Sequence, residues 1–400
     1  MNRNILLIGV AALAGIIIFL NPLQYLRGAR AARPAADPAA VAPLRDYAEA
    51  NWKSPEDYVI GSFAAHDIVF LGEFFKIRQD VQLAGALIPR LYAAGVRNMG
   101  IEYALSDDQK DIDALVTAPA WDEGKARRLT FDWMVTWGFQ EYIDLYKAAW
   151  KLNRSLPPGA RPFRMVGLGV RLNWEPLRGE KDMRDPSVIA KIYAAGTPDA
   201  HMAAVIDSQF IQTGEKALVF CGRQHIFTRY RSRDYERYVT DMRLSETRLA
   251  AAIVYDRIGT RAFSISLHAP WPDTTQKTGL AYGAGGVIDT LIAMLPPEKR
   301  SAGWDMAGTP LGRIPVKSGA YAEGASAITL ADLFDGYIVQ GPLSGYSLVT
   351  PIRDFVRPED AERAGKNYPG VKPALPSAQQ VNESISDEIQ DLKNVLAQFK

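Results

Sequence analysis

The 400 residues can bury a large core and allow one to three domains. An apolar share of 48%, 23% charged residues and a net charge of +1 exclude a mainly disordered chain. With the charges balanced and no basic cluster, no nucleic-acid partner is expected.

The uncharged run "ILLIGVAALAGIIIFL", Ile5 to Leu20, follows Arg3 and precedes Arg27, Arg30 and Arg33. It is long for a signal-peptide core and short for a span of about 20 residues. Residues 1–26 therefore read as a signal peptide or a membrane anchor, with membrane contact through residues 5–20. The expected location is membrane-anchored or secreted to the periplasm or cell exterior. A cytoplasmic-facing anchor is the alternative, because positive flanks prefer that side. Residues 27–45, rich in Ala, Pro and Arg, read as a linker.

A single main domain is expected over residues 46–356. Its strand candidates are "DIVFLG" (67–72), "NMGIEYA" (98–104), "RMVGLGV" (165–170 at its core), "KALVFCG" (216–222), "AFSISL" (262–267) and "GYIVQG" (336–341). Their apolarity is continuous rather than alternating, which predicts strands covered on both faces. Between them, residues 77–94, 140–153 and 197–213 carry apolar residues at helical spacing, the last opening on a Thr cap and Pro198. Strand, helix, strand in repetition predicts an α/β fold with a mostly parallel central sheet and helices on both faces. Residues 357–380 read as a second linker. Residues 381–400 read as an amphipathic helix with Ile385, Ile389, Leu392, Leu396 and Phe399 on its stripe, packed on the domain or forming a homo-oligomer contact.

In open parallel sheets, ligands bind beyond the carboxyl ends of the strands. Glu73 ends the first strand, Glu102 lies near the end of the second and Arg171 follows the third. His225 follows the fourth and His268 the fifth, so two of the four histidines fall at this edge. A carboxylate among Ile101 and Tyr103 costs several kcal/mol unless it is paired, so Glu102 predicts a dedicated partner. Arg171 is a candidate anion clamp. His66 and His201 read as structural, and Cys221, the single cysteine, reads as a core thiol. HExxH, GxSxG, complete GxGxxG and P-loop motifs are all missing.

The order "IVFLGE", "MGIEYA" and "ALVFCGRQH" resembles the haem-binding-uptake and Tiki superfamily, with its ChaN-like, TraB-like and erythromycin-esterase-like domains. Those share a first strand ending in Gly-Glu, a second ending in Glu and a later Gly-x-x-His element. They match Gly72 with Glu73, Glu102, and Gly222 through His225. The family usually places a histidine shortly after the first Glu, where this chain has Phe75 and Lys76, and an acid at the third strand, where it has Gly169 and Val170.

The resemblance implies a hydrolase-like protein with Glu73 and Glu102 as general base or metal ligands and His225 as acid/base or ligand, acting on a small-molecule or peptide substrate. His268 or Lys76 stands in for the missing histidine, and Arg171 or Lys76 stabilises an oxyanion. A divalent metal on Glu73, Glu102 and His225 is one variant. The rival is a non-catalytic protein that binds haem or another ligand through a degenerate site.

Overall fold

A computed structural model describes residues 36–272, 280–317, 320–322, 327–368 and 376–399. Helix α1 (Pro38–Ala50) takes up residues 38–45 of the expected linker, whose residues 27–35 lie outside the described residues. Asp37 caps it by accepting from the Ala39 N–H at 3.0 Å, and Pro38 presets its first turn. Val41 and Ala48 are buried, and the Trp304 indole donates to the Ala48 carbonyl at 3.0 Å. An Ala-rich stretch suits a tether by composition and a helix by propensity. Here packing selects the helix.

Seven strands form the central sheet: β1 (Ile68–Glu73), β2 (Asn98–Leu105), β3 (Arg164–Gly169), β4 (Ala217–Gly222), β5 (Ala262–Leu267), β6 (Ser301–Asp305) and β7 (Gly336–Gln340). Their spatial order is β3-β2-β4-β1-β5-β7-β6. Every neighbouring pair is parallel except β7 with β6. The edge strand β6 is the one strand of this sheet that the sequence reading lacks; its five residues hold one glycine and end in an exposed Asp305, too short a run to stand out.

Alternation along β1 explains its uninterrupted apolarity. Val69 and Leu71 enter one core, while Ile68 and Phe70 enter the other. Helices α2 (Arg78–Ala93), α3 (Gln109–Thr117), α4 (Glu123–Trp133) and α5 (Gln140–Ser155) supply the first core. Helices α6 (Pro198–Ile206), α7 (Ala250–Ile258) and α8 (Val287–Met294) supply the second. The predicted helix over 197–213 is α6 followed by a π-helical segment, Asp207–Ile211.

The second expected linker is also partly helical, since α9 (Ala361–Asn367) lies within it. Residues 369–375 fall outside the described residues. Helix α10 (Ala378–Leu396) starts behind a Ser377 capping box, and its apolar stripe is used within the chain. Val381 and Ile385 join the first core, whereas Leu392, Val395, Leu396 and Phe399 pack against Phe74 and Ile77, just beyond β1. No described helix is long and apolar enough to cross a membrane, and the run at 5–20 lies outside the described residues.

Helix α10 also carries Glu388, whose carboxylate bonds the Lys76 ammonium. Both side chains are buried. The ammonium lies 4.5 Å from the centroid of the Trp137 ring and 5.2 Å from that of Phe139, so cation–π attraction reinforces the ion pair. Truncating one partner leaves a buried charge uncompensated, so Glu388→Ala should lower unfolding free energy by about 3–5 kcal/mol. The double variant Lys76→Met, Glu388→Leu should lose much less. Urea denaturation measures both, and a loss under about 1 kcal/mol for Glu388→Ala, the range of exposed pairs, would show that the pair does not hold α10 down.

Candidate functional site

Glu102 reaches the sheet edge through an irregularity in β2. The β2–β3 register shifts between Ile101 and Leu105, and the β2–β4 ladder stops at Ile101 with Phe220. Beyond that point the Glu102 side chain takes the place of a ladder partner, its Oε2 accepting from the Gly222 N–H at 2.8 Å. A Cβ on Gly222 would lie 2.3 Å from the Phe75 ring and 2.7 Å from the Gln224 amide. A side chain at Gly222 would have to displace both.

The turn Arg223–His225 after β4 delivers His225, which is fully buried. Its Nδ1 lies 2.7 Å from Asp199 Oδ1, and its Nε2 lies 3.4 Å from Glu102 Oε1. Asp199, in the first turn of α6, also accepts from the Ala250 N–H at 2.8 Å and the Tyr235 hydroxyl at 3.0 Å. Burial by itself pushes the imidazole pKa down, but Asp199 and Glu102 outweigh it and hold the ring well above the ordinary histidine range. The two carboxylates thus favour the charged ring, whose Nε2 also has the Gln224 side-chain nitrogen at 3.1 Å.

Glu102 is 8% exposed and lines a cavity of about 50 Å³ together with Trp133, Arg171, Trp174 and Met202. Arg171 stands at its rim, donating to the Asp132 carbonyl at 3.3 Å and lying 3.9 Å from Asp108. His225, Asp199 and Gln224 line a second small cavity of about 30 Å³ with Tyr235 and Phe227.

Glu73 has a different environment. It is 1% exposed, and its carboxyl accepts from the Tyr142 hydroxyl at 2.8 and 2.9 Å and from the Tyr103 hydroxyl. Tyr142 in turn accepts from the Lys76 N–H at 3.1 Å. Tyr103 stacks on Trp137 with centroids 5.3 Å apart, and Phe75 meets both rings edge-on. Burial drives the Glu73 pKa well above the carboxylate range; the tyrosine bonds oppose this, and Asp80 and Glu102 add to it. Glu73 is thus a protonated carboxyl in an aromatic box.

Of the candidates, Glu102, His225 and Arg171 gather at one place. Lys76 does not stand in for a histidine beside Glu73: its φ of 71° turns the chain, its N–H serves Tyr142 and its ammonium goes to Glu388. His268 belongs to another cluster, with Nδ1 3.0 Å from the Tyr337 hydroxyl and Nε2 3.2 Å from Asp289. Arg223, also fully buried, donates to the Pro270 carbonyl at 2.8 Å. Among the described residues no three His, Cys, Asp or Glu side chains are grouped as metal ligands would be. The set Glu73, Glu102 and His225 does not form such a group because tyrosine hydroxyls enclose Glu73.

Sequence reasoning missed Asp199, Tyr103 and Tyr142. Asp199 looks like any acid in a first helical turn. The adjacency of Tyr103 to Glu102 was visible, but its role depends on contacts distant in sequence.

A Glu73 that keeps its proton in the fold and releases it near pH 4.3 when unfolded means that the folded state binds more protons. Stability should then fall as pH rises above about 4.3 toward the folded value. Glu73→Gln removes that slope, so the variant should gain on the parent chain between pH 5 and pH 8 in thermal melts. A Glu73→Gln curve running parallel to the parent's would contradict a protonated Glu73.

No protein-family profile matches the chain, and no curated protein matches it. Solved structures similar to it include an erythromycin esterase mutant in its open conformation, at 13% identity and a TM-score of 0.47, covering 71% of this chain and 92% of that one. A Bacillus cereus protein matches at 12% identity and a TM-score of 0.46, covering 80% of this chain and 97% of that one. ChaN of Campylobacter jejuni, in a structure with cofacially bound haem, matches at 12% identity and a TM-score of 0.34, covering 53% and 86%. At these identities and TM-scores nothing about family or activity rests on them.

Proposed function

We propose that the chain is a hydrolase-like enzyme whose reacting unit is Glu102 with the His225 imidazolium, at the carboxyl edge of the sheet. One observation carries this reading: Glu102 lies at ion-pair distance, 3.4 Å, from His225 and also lines a cavity, while Asp199 holds the far side of the ring. Glu102 is the general base that takes a proton from water in the cavity. His225 Nε2 gives a proton to the leaving group across the Glu102 carboxyl, 3.4 Å away, and regains one from the protonated Glu102, while Asp199 fixes its orientation and charge. Arg171, on the same wall, faces the charge that develops on an attacked carbonyl oxygen. Glu73 takes no proton-transfer role here; it supports the edge through Tyr103, next to Glu102.

A second reading, ligand binding without turnover, is favoured by the sealed Glu73 and by the commitment of Lys76 to Glu388. Haem would have to bind elsewhere than the Glu102 cavity, whose 50 Å³ falls far below the roughly 300 Å³ of the smallest usual ligand sites. Export or anchoring through residues 5–20 belongs to the same proposal and rests on the run Ile5 to Leu20.

Hydrolysis of a panel of activated aryl esters separates these readings. Glu102→Gln should lower kcat/KM by about 10²–10⁴, the range of a lost acid–base group, while a Lys76→Met, Glu388→Leu chain keeps most activity. Equal rates for Glu102→Gln and the parent chain, or no turnover by either alongside a Soret shift on haem titration, would favour the binding reading.

A further inference from the structure

A cavity of about 440 Å³ lies between α3, α4 and the segment leading to α9. That volume is within the range of small-molecule sites. Its wall touches the Glu102 cavity, since Asp132 lines both. Arg171 of the smaller cavity also lies 3.9 Å from Asp108 of the larger. The buried rings of Phe131 and Phe355, with centroids 6.1 Å apart, give it an apolar side.

Five acids, Asp360 among them, and four bases line the remaining wall, but they are not equally engaged. Asp111 pairs with Lys125 at 2.8 Å, Asp122 caps α4 through the Lys125 N–H at 2.9 Å, and Asp132 pairs with Arg363. Asp108 is partly buried, which pushes its carboxyl pKa upward and weakens it as a counter-charge. By contrast, Arg127 gives its guanidinium only to the carbonyls of Asp354 and Arg353, at 2.9 and 3.4 Å. It has no carboxylate at ion-pair distance among the described residues. Partial burial and the facing charge of Arg357 both push the Arg127 pKa down. Arg357 has Glu359 at 4.0 Å, the outer limit of an ion pair, and two like charges on an open wall are relieved further by an anion placed between them.

We infer that this cavity is the binding compartment for a small oxyanion, a carboxylate or a phosphate monoester carrying an apolar group, with Arg127 and Arg357 holding the anion and Phe131 and Phe355 the apolar part. The inference deepens the reading of Glu102 as the reacting carboxylate and rests on that reading, because the two cavities are neighbours that share Asp132. It names the substrate class that the reacting unit would receive.

Titration calorimetry of the full chain with benzoate and with phenyl phosphate tests this, and the stronger of the two identifies the anion. Saturable binding is expected, weakened about tenfold by Arg357→Gln, as befits one lost charge-assisted hydrogen bond. Arg357 is 53% exposed, so this variant should fold normally, and Arg127→Gln should act in the same direction. Arg353→Gln, at a side chain 97% exposed, should bind like the parent chain. Glu102→Gln should also retain binding, so loss of activity without loss of binding separates the compartment from the chemistry. No saturable binding of either probe, or equal binding by the parent chain and Arg357→Gln, overturns the inference.

Discussion

An imidazolium buried between two carboxylates is the constraint around which the sheet edge is arranged. Burying His225 disfavours its charge, and Asp199 and Glu102 restore it. His225 and Asp199, both buried, need one another, because either left alone would be an uncompensated charge in the interior. The surrounding elements meet that need. Helix α6 presents Asp199 in its first turn, α7 begins with the Ala250 N–H bonded to the same carboxylate, and the end of β4 gives Glu102 its backbone donor. The fold and the site thus share the same hydrogen bonds.

The same edge carries two carboxyls with opposite environments, separated by one tyrosine. Glu73 faces two phenols and remains protonated and closed, whereas Glu102 faces an imidazolium and a backbone N–H and stays open to a cavity. Tyr103, next to Glu102 in β2, points its hydroxyl back to Glu73. The residues "FFK" after Glu73 complete the closure. Phe74 packs with α10, Phe75 lies against Gly222, and Lys76 binds α10 through Glu388. The segment after Glu73 is thus a structural latch.

Much of this was legible in the sequence for physical reasons. Strands buried on both faces must be continuously apolar, so six of the seven strands of the central sheet stood out, and the rule that ligands gather at the carboxyl ends picked out Glu102 and His225. Glu102 was legible because an acid between Ile101 and Tyr103 demands a partner. What stayed hidden depends on distance along the chain or on degenerate signals. The partner of Lys76 lies 312 residues away. Asp199 looks like a helix-start acid, Ala-rich α1 like a tether, and β6 is too short to show a pattern. His268 and Arg171 both followed strands, but β5 lies beyond β1 from the Glu102 strand, and His268 turns to Tyr337 and Asp289 instead.

The central claim is the charge on His225, and heteronuclear NMR of its ring nitrogens measures that directly. With four histidines in the chain, a His225→Gln sample assigns the signals. The account predicts that both His225 nitrogens carry protons at pH 7 and remain so above the ordinary histidine range near 6.5. A neutral ring at pH 7, with one bare nitrogen, would contradict it.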